Sequence, residues 1–310
     1  MIEKSQSLFK RFLTYQKERY PFIAYFFLIG SFSFSAIAYS RICRGLTEFV
    51  SLDKFLICIF NTITLFFLLR ILDEFKDKED DRQYRKYLPV PRGLISLNEL
   101  KYIGIFTLAL QLISTTIFFP KMLVLLAVVY AYLFLMTKEF FAKEWLKRNQ
   151  FWYVTSHMLI IPLVDVFASG FDWLLENEKA PIGLLFFFAV SFMSGIVLEI
   201  GRKIKSPEQE EEGVLSYTYQ LGTKRAVIFW IFILLVSLTL ACVATYFAGH
   251  SIDSYIALAV TFLICAIPAV LFLRKHTAKN SKLIEYSSAL WTFAMYLILG
   301  GIPMLMSLWK

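Results

Sequence analysis

Three aspartates at intervals of four residues follow directly on a long apolar run: Asp73, Asp77 and Asp81. If one helix continues through all three positions, each is rotated by about 40° from the one before, and the carboxylates share a face. Carboxylates this close repel each other, so cations must compensate them, either neighbouring basic side chains or a bound metal ion. Mg²⁺ suits the second role, because it takes oxygen ligands from one or two carboxylates plus substrate phosphates.

A second charged cluster lies half a chain later, between residues 199 and 212. It combines acidic with basic side chains: Glu199, Glu208, Glu210, Glu211 and Glu212 with Arg202, Lys203 and Lys205. Two such clusters facing one compartment could enclose a polyanion. A diphosphate bound through Mg²⁺ on one wall and through Arg202 and Lys203 on the other would be neutralised from both sides.

The elements that position these clusters are membrane helices. The 310 residues are 58% hydrophobic, with a mean hydropathy of +0.60, beyond the usual range of soluble domains. Nine stretches approach the roughly 20 residues that cross a bilayer, and backbone pairing in hydrocarbon requires that they be helices. They are approximately 22–40, 51–72, 101–119, 121–137, 151–170, 181–200, 225–247, 252–273 and 287–309.

The basic residues predict the orientation of these helices. With the N-terminus inside and the C-terminus outside, 26 of the 32 lysines and arginines fall on the inner side, as cytoplasmic segments require. Residues 1–20 have no cleavable signal pattern, so the first helix is expected to direct its own insertion. The net charge of +8 reflects this topology and attraction to anionic lipids, and nothing calls for nucleic acid.

We interpret the chain as one all-α membrane domain spanning residues 1–310. Residues 5–20 alternate basic and apolar side chains, which suits either an interfacial helix within segment 1–20 or a disordered tail. Two cytoplasmic segments, 73–100 and 199–224, carry the charged clusters.

Several polar and aromatic side chains inside the spans are further candidates. Asn61 lies about 18 Å deeper than Asp73 along the same helix, where it lines a cavity or bonds to a neighbouring helix. Tyr130, Tyr132 and Tyr153 are candidates for stabilising a substrate cation through their ring faces, or are ordinary interface aromatics. His157 and Asp165 share a later helix, and either packing or acceptor-binding roles are open for both.

Four segments resemble the UbiA superfamily of intramembrane prenyltransferases, whose nine helices carry acidic motifs at the cytoplasmic ends of helices 2 and 6. Asp73, Asp77 and Asp81 match the first motif, NxxxDxxxD, with Asp73 in the asparagine position. PVPRGLISLNEL (89–100) is similar to the RPxxxGxxS stretch, although Leu88 replaces its arginine. YAYLFLMTK (130–138) resembles the Tyr-rich end of helix 4, and EGVLSYTYQLG (212–222) resembles the end of the second motif.

The second motif departs from the family pattern. That motif is usually DxxxD with an aspartate just before it, whereas this sequence has Glu199 followed by Arg202 and Lys203. A second metal site is therefore weakened, and the basic pair could contact phosphate directly.

The resemblance implies a Mg²⁺-dependent transferase that moves a prenyl group from an isoprenoid diphosphate to a lipophilic acceptor. It implies catalytic and metal-binding roles for Asp73, Asp77, Asp81 and Glu199. The expected substrate-binding residues are Arg70, Lys76, Arg202, Lys203, Tyr130, Tyr153 and Asn61. The expected location is a bacterial cytoplasmic membrane, with the active site facing the cytoplasm. A terpene cyclase of the same superfamily, a cation transporter and a catalytically silent homologue are the alternatives.

Overall fold

The computed structural model describes residues 7–210 and 216–309, which form helices joined by turns with no strand among them. Within these residues, nine helices or joined helix segments are long and apolar enough to cross a membrane, which confirms the predicted all-α membrane fold. Their bounds are Phe22–Cys43, Leu52–Lys76, Leu97–Phe118, Pro120–Thr137, Gln150–Trp173, Gly183–Arg202, Thr223–Phe247, Ile252–Arg274 and Ala278–Leu308.

Hydropathy predicts the starts of two spans too late in the sequence, because capping side chains begin these helices earlier. The third span begins at Leu97, four residues before its predicted start, because Ser96 and Glu99 form a capping box. The Ser96 hydroxyl accepts a hydrogen bond from the Glu99 amide (3.2 Å), and the Glu99 carboxylate accepts one from the Ser96 amide (2.8 Å). The ninth span likewise starts at Ala278, behind Thr277, whose hydroxyl accepts from the Asn280 amide.

Helices are named in chain order, including the short ones outside the spans. The first seven are α1 (Leu8–Arg19), α2 (Phe22–Cys43), α3 (Leu52–Lys76), α4 (Lys78–Tyr84), α5 (Leu97–Phe118), α6 (Leu123–Thr137) and α7 (Lys143–Arg148). The others are α8 (Gln150–Met158), α9 (Ile160–Trp173), α10 (Gly183–Arg202), α11 (Tyr217–Leu221), α12 (Thr223–Phe247), α13 (Ile252–Arg274), α14 (Ala278–Tyr296) and α15 (Ile302–Leu308).

Two of the nine spans are interrupted. The fifth divides into α8 and α9 at Leu159, because Pro162 has no amide hydrogen for the Met158 carbonyl. The ninth contains a π-helical turn, Leu297–Gly301, between α14 and α15. Such turns free backbone carbonyls within a helix.

The described chain divides into two compact units. The first takes in residues up to 30 together with 51–141, and the second takes in 31–50 together with 142 onward, so the boundary falls within α2. The interpretation of residues 1–310 as a single membrane domain stays a prediction.

The first unit is built on an aromatic core between α1, α3 and the start of α5. Tyr15, Tyr20 and Phe67 are buried there, and Phe12 and Phe22 pack against them. Two ion pairs attach α1 to the segment around the start of α5. Arg11 pairs with Glu99 (2.6 Å), and Glu18 pairs with Arg92 (2.8 Å). The amphipathic segment is thus helical from Leu8, while residues 1–6 lie outside the described chain and the interfacial location stays a prediction.

The second unit packs α9, α12 and α14 around α10. Trp230 of α12 is fully buried, and its indole N–H lies near two acceptors, the Val197 carbonyl (3.2 Å) and the Ser288 hydroxyl (3.0 Å). The π-helical turn approaches α2 so closely that a side chain on Gly300 would overlap the Ser35 carbonyl, which only glycine allows.

An ion-pair network joins α2 to the end of α9, and sequence reasoning did not anticipate it. The fully buried Asp172 carboxylate accepts hydrogen bonds from Ser40 (2.7 Å), Arg41 (3.0 Å) and Arg44 (2.7 Å). Both arginines also pair with Glu176 at 2.9 Å. These four charged side chains, Arg41, Arg44, Asp172 and Glu176, form what we call the α2–α9 clamp.

Candidate active site

The helix that carries the first acidic motif ends between its first and second aspartates. Helix α3 stops at Lys76, Asp77 adopts φ −92° and ψ 5°, and α4 starts at Lys78. The condition that one regular helix continue through Asp81 is therefore not met, although backbone hydrogen bonds of 2.9 Å still join Asp77 to Asp73 and Asp81 to Asp77. Asp77 lies at the break, and aspartate has a low helix propensity because its side chain competes for backbone hydrogen bonds.

The three aspartates of this motif have different surroundings. Asp73 is 30% exposed and has two loose cationic neighbours, Arg70 (3.8 Å) and Lys76 (3.9 Å). Asp81 is buried and accepts a hydrogen bond from Arg85 at 3.0 Å. Burial raises the pKa of Asp77; the nearby Lys76 opposes this, and the charges of Asp73 and Asp81 add to it. Negative charge at Asp77 is therefore incompletely compensated.

The aspartates do not form one metal-ligand set. Within residues 7–210 and 216–309, no three His, Cys, Asp or Glu side chains come together in an arrangement that could hold a metal ion. Asp73 and Asp77 remain as adjacent carboxylates that are not held by short ion pairs to arginine.

Glu74 lies next to Asp73 in the same segment, and sequence reasoning gave it no role. Its side chain is 1% exposed. Arg19 donates to it from Nε at 2.8 Å, Arg70 pairs with it at 3.3 Å, and the Tyr15 hydroxyl lies at 3.5 Å. Because two of these partners come from α1, this helix fixes the end of α3 directly beside Asp73.

A narrow cleft opens next to Asp73 on the α6 side of α3. Asp73 and Lys76 form its polar part, and the remaining lining is largely aliphatic: Leu69, Leu72, Leu133, Met136 and Thr137. The cleft has a volume of about 10 Å³, room for about one water molecule, so it places a charged and an apolar surface side by side within the first unit but does not itself accommodate a substrate.

The chain beyond α6 turns in an unusual way beside this cleft. Glu139, Phe140 and Phe141 have positive φ angles of 49°, 52° and 56°. We call these three residues the left-handed turn. The Glu139 carboxylate lies 3.8 Å from the Lys76 ammonium. Sequence reasoning missed this residue because the stretch contains no glycine or asparagine to indicate a left-handed backbone.

Asn61 and Tyr130 belong to a buried network within the first unit. Gln111 donates to the Asn61 carbonyl (2.9 Å) and accepts from the Tyr130 hydroxyl (2.7 Å). Thr115 donates to the Asn61 side chain at 3.2 Å. The network ties α3, α5 and α6 together inside the membrane-spanning region, and the predicted substrate contacts of both residues stay predictions.

The second motif is a compact ion-pair cluster at the end of α10. Glu199 is buried, and each of its carboxylate oxygens is engaged, one by Arg202 (2.6 Å from Nε) and the other by Lys203 (2.7 Å). The Arg202 side chain remains 60% exposed. This arrangement leaves Glu199 poorly suited to a metal ion and presents a guanidinium to solvent.

The loop after this cluster is closed by Glu210. Its carboxylate accepts hydrogen bonds from the hydroxyls of Ser216 (2.6 Å) and Thr218 (2.9 Å). Tyr217 beside them is buried, which, with the charge of Glu199, raises its pKa to about 12. Glu211 and Glu212, and most of the EGVLS stretch, lie outside the described residues.

The remaining candidates lie within the spans of the second unit. The Tyr153 ring stacks on His157 at 4.1 Å, and His157 Nδ1 lies 2.8 Å from the Tyr153 carbonyl oxygen. Asp165 is fully buried and accepts a hydrogen bond from Tyr296 at 3.2 Å. The Tyr296 hydroxyl also bonds to Ser191 at 2.7 Å.

Two solved structures share this fold. A digeranylgeranylglyceryl phosphate synthase has a TM-score of 0.63 and 19% identity, with 94% of this chain and 99% of that chain covered. The apo structure of a UbiA homologue from Aeropyrum pernix K1 has a TM-score of 0.64 and 15% identity, with 91% and 98% covered. At these identities the likeness concerns the fold alone.

A comparison with curated proteins gave no match. The model of the UbiA prenyltransferase family, in contrast, matches residues 31–294, a range that includes both charged motifs and seven complete spans of the nine described. The chain therefore belongs to the UbiA prenyltransferase family.

Proposed function

We propose that this protein transfers a prenyl group from an isoprenoid diphosphate to a lipophilic acceptor within the membrane, and that the reaction depends on Mg²⁺. The observation that carries the proposal is the position of Asp73 and Lys76 next to aliphatic side chains of α3 and α6. An amphiphilic donor needs such a pairing, because its diphosphate must stay polar while its isoprenoid chain stays in hydrocarbon.

Residues of the first motif fit one Mg²⁺ ion. Mg²⁺ is commonly held by one or two carboxylates plus phosphates and water, and Asp73 and Asp77 supply this number. The incompletely compensated charge at Asp77 favours a cation there. Bound at these residues, the ion would neutralise the departing diphosphate.

Residues of the second motif do not fit a metal ion, because Arg202 and Lys203 already neutralise Glu199. We propose that the exposed Arg202 guanidinium binds phosphate oxygens directly, a role for which its planar set of donors is suited. Glu199, which also pairs with Lys203, would hold Arg202 in place. In this proposal Glu199 positions Arg202 and does not take the metal-binding role expected from the sequence.

Other side chains of the first unit have supporting roles in this proposal. Arg70 and Lys76 would contact the diphosphate beside Asp73, and both supply charge-assisted hydrogen bonds as the leaving group gains charge. Tyr130 and, in the second unit, Tyr153 would offer ring faces to the allylic cation. An inner, cytoplasmic location of the site follows from the predicted orientation and belongs to the same proposal.

The test measures pyrophosphate release by the purified full-length protein. Isoprenoid diphosphates of several chain lengths are supplied with and without a lipophilic aromatic or alcohol acceptor, in MgCl₂ or EDTA. We expect release that requires Mg²⁺, an acceptor-dependent prenylated product, and strong loss of both in Asp77→Asn. Glu79→Gln, which removes a largely exposed carboxylate from the same segment, should retain activity.

Each alternative has its own outcome. A hydrocarbon or terpene alcohol formed without acceptor would indicate a cyclase. Absence of release with every donor would contradict the enzymatic proposal and favour a transporter or a silent homologue.

A further inference from the structure

The left-handed turn is the most strained backbone among the described residues outside glycine. Three consecutive L-residues, Glu139 to Phe141, adopt left-handed φ angles, which bring each Cβ too close to the following carbonyl oxygen. Such conformations persist only where surrounding contacts enforce them, and they concentrate at functional sites. Here the Phe140 ring packs edge-on against Tyr132 at 5.5 Å, and the Phe141 ring lies 6.3 Å from Phe134.

The turn directs Glu139 toward the candidate site. The Glu139 side chain is 12% exposed and Lys76 is 14% exposed. The Lys76 ammonium lies between two carboxylates, 3.8 Å from Glu139 and 3.9 Å from Asp73. A flexible lysine that has both neighbours is drawn toward the polar end of the cleft.

We propose that Glu139 is a positioning residue of the diphosphate site, which holds the Lys76 ammonium beside Asp73 where a phosphate oxygen is bound. This inference rests on the proposed function. When the donor binds, Lys76 turns its N–H donors to phosphate, while the charge of Glu139, 3.8 Å from the ammonium, keeps the lysine at the site. The strained turn maintains the position of the Glu139 carboxylate, since a relaxed backbone would not hold it at Lys76.

The direction in which affinity for diphosphate changes when Glu139 is replaced distinguishes this positioning role from a purely electrostatic one. Removing a negative charge near a site for diphosphate should strengthen anion binding if Glu139 acts only through its charge. If Glu139 instead holds Lys76, its loss frees the lysine to point elsewhere, and binding weakens. The two roles therefore predict opposite changes in affinity.

The experiment measures binding of inorganic pyrophosphate, with MgCl₂ present, to full-length protein in detergent by isothermal titration calorimetry. Wild type is compared with Glu139→Gln, Lys76→Gln and the double variant, so that the coupling between the two residues is obtained from the cycle. We expect Glu139→Gln to weaken binding about fivefold, as for a partly exposed ion pair, and to have no further effect in the Lys76→Gln background. Glu79→Gln provides the same charge change at an exposed position and should bind as wild type does.

A second variant keeps the test usable if Glu139→Gln does not fold. Glu139→Asp retains the charge but withdraws the carboxylate by one methylene, and it should also weaken binding. Tighter or unchanged binding in Glu139→Gln, or equal weakening in both lysine backgrounds, would overturn the proposal. Wild type that binds no pyrophosphate would overturn the proposed function and this inference together, whereas wild-type binding with unaffected variants overturns this inference alone.

Discussion

Arg19 donates a hydrogen bond of 2.8 Å from its Nε to the Glu74 carboxylate, which is almost completely buried. This bond fastens the amphipathic helix α1 to the end of α3, one residue away from Asp73. A buried carboxylate that loses a cationic partner is destabilising by about 3–5 kcal/mol. Arg70 also pairs with Glu74, at 3.3 Å. The remaining pair should make the loss of stability smaller when Arg19 is removed.

Arg19→Met is therefore expected to lower the free energy of unfolding by about 2 kcal/mol. Thermal unfolding of the detergent-purified protein measures this change. Arg82→Met, at an exposed position of α4, is the matched control and should unfold at nearly the wild-type temperature. Equal effects of both substitutions would show that the Arg19–Glu74 bond is not a stabilising contact.

The two charged motifs should differ in their kinetic effects. Asp77→Asn should reduce turnover by about a hundredfold or more and remove the stimulation by Mg²⁺, because a proposed ligand of the Mg²⁺ ion that neutralises the departing diphosphate is lost. Arg202→Gln should raise KM for the donor about tenfold through a lost charge-assisted contact, with Mg²⁺ stimulation retained. Steady-state kinetics over a range of MgCl₂ concentrations distinguish the two. Loss of Mg²⁺ stimulation in Arg202→Gln would contradict the assignment.

The left-handed turn predicts an unusual order of stability for substitutions at Phe141, which is 73% exposed. Phe141→Gly should be more stable than Phe141→Val by about 1–2 kcal/mol, because glycine alone adopts this backbone without strain. The same pair at the exposed Phe151 of α8 should show the reverse order, since glycine is the poorer helix former. Thermal unfolding of the four variants gives the comparison, and a more stable Phe141→Val would refute the turn geometry.

His250, in the turn between α12 and α13, should make stability depend on pH. Burial lowers its pKa, while a hydrogen bond from Nε2 to the Leu299 carbonyl (2.8 Å) partly opposes this. The unfolded chain therefore binds a proton at a higher pH than the folded chain, and stability falls as pH decreases below the ordinary histidine value of 6.5.

The measurement is the thermal unfolding temperature between about pH 8 and about pH 5, the range in which histidines titrate. His250→Gln should reduce the decrease in unfolding temperature at acidic pH. His276→Gln, at an exposed position, should leave the pH dependence of the unfolding temperature as in wild type. An unchanged slope in His250→Gln would rule out this origin of the pH dependence.

The nine spans could be predicted because hydropathy depends on residue type alone, and a bilayer sets the length of each helix. Their ends could not be located as well, because Ser96 and Glu99 start α5 through side-chain bonds and Pro162 divides the fifth span. The spacing of the three aspartates would place them on one face only if the helix continued through Asp81, and sequence alone did not reveal the break at Asp77.

The acidic residues of the candidate site were visible in the sequence, but their partners were not. Arg19 lies 55 residues before Glu74, and no periodic pattern connects them. Glu139 is preceded and followed by residues that favour neither turns nor left-handed backbone, so its approach to Lys76 depends on tertiary packing. Residue types thus indicated the chemistry, whereas long-range contacts determine which carboxylates remain available.

The α2–α9 clamp has a consequence for how the chain is synthesised. In the predicted orientation, Arg41 and Arg44 cross the membrane at the end of α2, the first span. Asp172 follows 131 residues after Arg41. At roughly 5–20 residues per second, the ribosome delivers that carboxylate on the order of ten seconds later. During this interval Arg41 and Arg44 lie on the far side of the bilayer without their carboxylate partners. Their charges are neutralised only after α9 has been synthesised, long after α2 has crossed the membrane.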